Sequence, residues 1–346
     1  MDDPKMLGWI GIFRLGLVQA ALGSIVVLTT STLNRIMVVE IGLAAVIPGI
    51  LVGVHYGVQI ARPLWGHVSD RGGRRTPWIV GGVALLALAG VGAAMSTALM
   101  AESFPVGFVL AMLDFVLIGF GIGAAGTSLL ALLASSVAPE RRPAAATVVW
   151  LMMIFGIAIT AVISGRFLDP FSMSRLIEVT AVAGVAALAL TTVAVTGVER
   201  ARPRIRASLN DAPSVSFRES LADAWADPQA RLFTIFVFVS MLGYSMQDLI
   251  LEPFAGLVFG MTPGETTSLS GVQNGGVFAG MVLVGVAGSL LSRRIPSVLK
   301  YFTVGGCVLS AIMLGAMAGS AVAQGSWPLT ANVFALGFAN GAFAVA

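Results

Sequence analysis

Charge is scarce in this chain. Asp, Glu, Lys and Arg make up 11 % of its 346 residues, while 57 % are hydrophobic. A soluble protein with so little charge could not cover its surface, whereas lipid-facing helices require that balance. The net charge of +3 would suggest nucleic acid for a soluble domain. Here its distribution matters more than its sum, and no nucleic-acid partner is expected. Cysteine is almost missing. Cys307 lies in an apolar run, offers neither a disulfide nor a metal motif, and reads as a small core residue. There is no cleavable signal: the first apolar stretch lacks a short core ending in a small-residue cleavage site and reads as a spanning helix. A cofactor loop, a metal cluster and a nucleophile–base set are lacking too, so no enzyme is expected.

What the chain has is apolar length. Hydropathy gives ten candidate spans, at about 9–33, 44–65, 77–99, 106–134, 144–165, 175–197, 231–256, 268–291, 297–319 and 327–346, each near the roughly 20 residues that cross a bilayer. The fold class is therefore an all-α polytopic membrane protein. Basic residues fall mostly on one side: Arg71, Arg74 and Arg75; Arg141 and Arg142; Arg200, Arg202, Arg204, Arg206 and Arg218; Arg293, Arg294 and Lys300. Arg35, Arg166 and Arg175 fall on the other. The positive-inside rule then places the N-terminus and the central loop in the cytoplasm.

The ten residues from Gly66 to Arg75, Gly-His-Val-Ser-Asp-Arg-Gly-Gly-Arg-Arg, stand between two apolar stretches. Glycines permit a tight turn, Asp70 sits where a helix ends, and Arg71, Arg74 and Arg75 stay on the side that favours them. The pattern resembles the loop joining the second and third helices of the major facilitator superfamily. That resemblance implies two six-helix halves. Residues 1–199 then form an N-terminal six-helix half, 200–230 a cytoplasmic central loop, and 231–346 a C-terminal half with four of its spans. Two further helices are expected after Ala346, giving twelve; a ten-span protein is the alternative, against which an end inside an apolar run argues. Within the central loop, Ser216 and Glu219 have capping-box spacing. Phe217, Leu221, Ala224 and Trp225 recur at helical spacing, which suggests a short interfacial helix.

Ionisable side chains inside spans are costly and so are candidates for function. His55, Gln59 and Arg62 share one face of the second helix. Arg62 can snorkel or pair with Asp70. His55 is deeper: it is either a buried, hydrogen-bonded histidine or, as a neutral imidazole, a ligand to a metal such as the magnesium of a chlorin. Asp114, near mid-membrane in the fourth span, is structural if Arg14 on the first helix is its partner and a proton-relay candidate if it stands alone. Gln247, Asp248 and Glu252 form a polar group toward the outer end of the seventh span, before Pro253. Asn34 and Arg35 occupy the corresponding end of the first. Because these helices are counterparts, Arg35 is expected to pair with Asp248 or Glu252 across the outer mouth.

The resemblance narrows at three segments: Gly66 to Trp78; Ala138-Pro139-Glu140-Arg141-Arg142-Pro143-Ala144-Ala145-Ala146; and Tyr244-Ser245-Met246-Gln247-Asp248-Leu249-Ile250-Leu251-Glu252-Pro253-Phe254. These resemble the PucC/LhaA family of light-harvesting assembly proteins, a bacteriochlorophyll-delivery branch of the facilitator superfamily. The Gln-Asp-x-x-Leu-Glu-Pro segment, continued at Pro263-Gly264-Glu265-Thr266-Thr267, is the more specific part. The resemblance implies an assembly factor for the purple-bacterial antenna (LH1 or LH2). It would bind bacteriochlorophyll, with carotenoid or lipid as further candidates, and work with the light-harvesting α/β polypeptides and the reaction-centre core. It also implies the bacterial inner membrane, in its intracytoplasmic or chromatophore form, and a bracing role for Asp70 against the other half. The alternative is a proton- or solute-coupled transporter. Its expected lining on the first, fourth, seventh and tenth helices is thin: Arg14, Gln19, Asp114, Gln247 and Asp248, with Asn332 and Asn340.

Overall fold

The computed structural model describes residues 6–62, 74–199, 225–291, 294–295, 297–323 and 327–345. Within them the chain is helical, with no strand. The elements are α1 (Trp9–Glu40), α2 (Val46–Val58), α3 (Thr76–Glu102), α4 (Phe104–Ser136) and α5 (Arg142–Leu168). They continue with α6 (Met173–Val195), α7 (Pro228–Phe259), α8 (Pro263–Leu291), α9 (Val298–Ser320) and α10 (Leu329–Val345). Proline opens many of them: Pro77, Pro105, Pro143, Pro228 and Pro263 stand in first turns, where their missing N–H has no helical partner to lose.

Eight of these helices are long and apolar enough to cross a membrane. The two remaining expected spans are shorter apolar helices. In the second, α winding stops at Val58 and tightens to a 3₁₀ turn over Gln59–Ala61. The tenth is followed only to Val345. Asp70, Arg71, His67 and most of the proposed interfacial helix lie outside the described residues.

Leu22, Ile25, Leu51, Leu86, Phe115 and Ile118 pack into one core drawn from α1 to α4. Leu251, Ala255, Leu269, Val333 and Leu336 form another from α7, α8 and α10. The two groups of helices meet along α5 and α8, and where residues 28–40 of α1 touch α7. We call the end of the bundle where α1 begins the near end, and the end where it finishes the far end. The α1–α7 contact is confined to the far end, while Leu232, Phe233 and Phe238 on the near part of α7 are exposed.

A polar clasp ties α3, α4 and the end of α6 together at the near end. Glu199, just past α6, accepts hydrogen bonds from Arg75 N at 2.7 Å, Thr76 N at 3.0 Å and Thr76 Oγ1 at 2.6 Å. It thereby satisfies backbone donors that the first turn of α3 leaves unpaired. Arg75 reaches the other way, donating through Nη1 to Ala131 O and Ser135 Oγ of α4, both at 2.6 Å. Arg74 beside it is exposed. Burial works to raise the Glu199 carboxyl, but its hydrogen bonds from Thr76 and Arg75, helped by the Arg75 charge, outweigh this and hold it below the usual range. A depressed folded-state value means stability present above the unfolded value and lost as pH falls through the folded one. The thermal midpoint of the parent should therefore exceed that of Glu199→Gln at neutral pH. The difference should hold down to about pH 4.3 and shrink below it; a constant difference would refute the clasp.

Candidate functional site

Three groups of α7 find partners on other helices, Gln247, the Leu249 carbonyl and Glu252, and proline is the reason for one of them. Pro253 lies inside α7 and has no N–H, so the carbonyl four residues earlier loses its helical donor. That carbonyl belongs to Leu249, and Asn34 Nδ2 of α1 donates to it at 2.6 Å. A freed carbonyl in an apolar bundle must be satisfied by a neighbour, and here the neighbour sits in the other half. One turn away, Glu252 is fully buried. Ser270 Oγ donates to its Oε1 at 2.7 Å, and Thr267 Oγ1 lies 3.5 Å from its Oε2. Thr267 is also 3.2 Å from Thr32 Oγ1 of α1. Gln247 points along the C-terminal half, where Asn340 Nδ2 donates to its Oε1 at 2.7 Å and Ser310 Oγ donates to Asn340 Oδ1 at 2.8 Å. Asp248 is half-buried, within electrostatic reach of Tyr56 and Tyr244.

The same end carries a second joint, between α5 and α8. Thr262 and Glu265 form a reciprocal cap: Thr262 N donates to Glu265 Oε2 at 2.9 Å and Glu265 N to Thr262 Oγ1 at 3.2 Å, the capping box. Asp169, just past α5, accepts from Thr262 Oγ1 at 2.6 Å and from Gly264 N at 3.3 Å. The joint is tight because Gly165 and Gly264 face each other. A β-carbon on Gly165 would lie 2.5 Å from the Gly264 carbonyl oxygen.

Together these contacts make Glu252, Pro253 and the Thr262–Thr267 stretch parts of one seal. A protein-family model described as PUCC protein matches residues 32–346. The chain belongs to that family. A relative named "Bacteriochlorophyll synthase 44.5 kDa chain", from Rhodobacter capsulatus, is 53 % identical over 343 residues, which are 98 % of this chain and 78 % of the relative. "Protein PucC" of Rhodovulum sulfidophilum is 32 % identical over 298 residues, 82 % of this chain and 64 % of that protein. Among solved structures, a D-xylose–proton symporter superposes with a TM-score of 0.61 at 15 % identity, over 95 % of this chain and 79 % of that one. A peptide transporter POT with bound sulfate gives 0.64 at 14 % identity, over 97 % and 81 %. These likenesses establish the facilitator fold for this PucC-family protein.

Several expected pairings are corrected by the structure. Arg35 does not pair with Asp248 or Glu252. Its Nη1 forms an ion pair with Glu40, and its Nη2 donates to Met261 O at 2.8 Å. The reason is local winding: Ile36–Glu40 is a π turn, which brings residues five apart together. Arg14 does not reach Asp114. Its guanidinium takes carbonyls at the end of α6, Ala194 at 3.0 Å, Val193 at 3.3 Å and Thr196, acceptors that a helix C-terminus leaves free. Asp114, half-buried, accepts from Ser96 Oγ of α3 at 2.6 Å.

His55, Gln59 and Arg62 do share a face, and they spend their polarity on one another. Arg62 Nη2 donates to Gln59 Oε1, so the Gln59 amide nitrogen, 3.0 Å from His55 Nε2, is the donor to that ring nitrogen. The Nε2 lone pair is thus occupied. His55 is 1 % exposed, and its Nδ1 has no partner among the described residues. A chlorin magnesium needs a free lone pair that the macrocycle can approach; neither His55 nitrogen offers one. The expected pigment contact at His55 and Gln59 does not fit.

If Pro253 frees Leu249 for Asn34, the two residues are coupled. Asn34→Ala and Pro253→Ala should each alter stability, and their double-mutant cycle should show a coupling of about 1 kcal/mol. Strictly additive effects on thermal unfolding in detergent would break the link.

Proposed function

We propose that this PucC-family protein is an assembly factor for the purple-bacterial light-harvesting antenna, LH1 or LH2, beside the reaction centre. In this reading it helps deliver bacteriochlorophyll to the light-harvesting α/β polypeptides. The observation that carries the reading is the family match across residues 32–346, together with a relative whose name links it to bacteriochlorophyll at 53 % identity. The protein acts in the inner, intracytoplasmic membrane with its N-terminus in the cytoplasm. It works as a membrane chaperone and not as a catalyst: free pigment is insoluble, and single-span antenna polypeptides must be kept apart until pigmented. Pigment contact belongs to the lipid-facing apolar surface, since His55 is closed to it. Antenna helices would approach by close packing at small residues, with membrane lipid as the competing partner.

A structural feature supports this reading over solute transport. Four of the side chains expected to line a solute path turn toward protein: Arg14 to α6, Asp114 to Ser96, Gln19 Nε2 to Met153 Sδ at 3.2 Å, and Gln247 to Asn340. The second reading, alternating access, is favoured by the shape of the interface. The halves meet along α5 and α8, but α1 touches α7 at the far end, while the near part of α7 stands exposed, and the fold is that of transporters.

Purification in mild detergent separates the two. Assembly predicts a near-infrared bacteriochlorophyll spectrum and co-purifying antenna polypeptides. A colourless protein that moves a solute into liposomes would overturn it. His55→Ala should leave the pigment content unchanged.

A further inference from the structure

Two buried charged residues face the seal from opposite halves without pairing. Arg35 is 2 % exposed and Glu252 is 0 % exposed. The charge of Arg35 is balanced within its own helix by Glu40, although its Nη2 also reaches the Met261 carbonyl past α7, and Glu252 is held within its own half by Ser270 and Thr267. The arrangement leaves one buried donor over: Arg35 Nε has no partner among the described residues. That nitrogen lies against α7 at Gly256. A β-carbon there would sit 3.3 Å from Nε and 3.2 Å from Nη2. Gly256 is one turn beyond Glu252 on the same helix face, so the unused donor already stands about one turn from the carboxyl.

We propose that Glu252 is a proton-binding site whose proton is the release condition for the far-end seal. With the proton on, each half is charge-balanced by itself and the two can part. With it off, Arg35 leaves Glu40 for Glu252 and locks α1 to α7. In the locking step the Glu252 O–H bond breaks and the proton passes to water at the rim. The Arg35–Glu40 ion pair breaks and an Arg35–Glu252 pair forms. Asymmetric exposure sets the direction. Glu40 is 32 % exposed and can be hydrated when its cation leaves, whereas an unpaired carboxylate at Glu252 would be an uncompensated buried charge.

The other charged groups around Glu252 do not substitute for Arg35. On α7, Asp248 is one turn toward the near end. On α8, Glu265 is engaged in its cap with Thr262. Past α5, Asp169 is held by Thr262 and Gly264. On α5, Arg166 is exposed and lines a groove of about 360 Å³ beside Met261. The groups that α8 turns to Glu252, Thr267 and Ser270, are hydroxyls.

Spin labels at Ala44 and Thr330, both exposed at the far end in opposite halves, test this in lipid nanodiscs with Cys307→Ser. Pulsed dipolar spectroscopy across a pH series should show a longer-distance population that grows as pH falls. The ratio of parted to closed forms should change by about tenfold per pH unit near the midpoint, as one proton requires. Glu252→Gln should hold the low-pH distribution at every pH. Glu40→Gln, which removes the competing partner, should keep the seal locked to lower pH. A parent distribution indifferent to pH, or a Glu252→Gln protein that follows the parent's response, overturns the proposal. Should Glu252→Gln fail to fold, a Glu40→Gln profile coinciding with the parent's overturns it equally.

Discussion

Where the far-end part of α5 meets the start of α8, glycines leave no room for a side chain between the helices. Gly165 and Gly264 press backbone on backbone, and Gly271 of α8 comes so near α5 that a β-carbon on it would lie 2.9 Å from Ala158 O. In a bilayer, helices gain little from excluding lipid, and close packing at small residues is what draws them together. This contact therefore sets the spacing of the two halves. The other connections are short-range and depend on it. Asn34 reaches Leu249 O, Thr32 reaches Thr267, and Asp169 caps the start of α8. Each is a hydrogen bond that a displacement of an ångström or two would break.

The helices were legible because lipid imposes a strong rule: long apolar runs, with basic loops on one side. The position of the polar group on α7 was legible for the same reason, since each such residue in a span is an expense. Partners were not. Sequence spacing says which residues share a face, as it did for His55, Gln59 and Arg62, but not that they satisfy one another. It also cannot show that α1 changes winding before Glu40, nor that the carbonyls ending α6 lie beside Arg14. Local geometry of this kind is written in the packing of neighbouring helices.

The family segment from Gln247 to Pro253 does three separate structural jobs within two turns. Gln247 ties α7 to α10 and, through Asn340, to Ser310 of α9. Glu252 ties it to α8. Pro253 releases the carbonyl that ties it to α1. The segment is thus a hub of the fold, with Asp248 half-buried inside it.

Arg35 and Glu40 are five residues apart. On a regular α-helix that separation sends two side chains to different faces; on a π turn it brings them together. Their ion pair therefore reports the torsional state of α1. Rewinding Ile36–Glu40 into α form would swing the carboxylate off the guanidinium with no loop or domain displaced, so that a twist within one helix acts as the mechanical input to a joint between two.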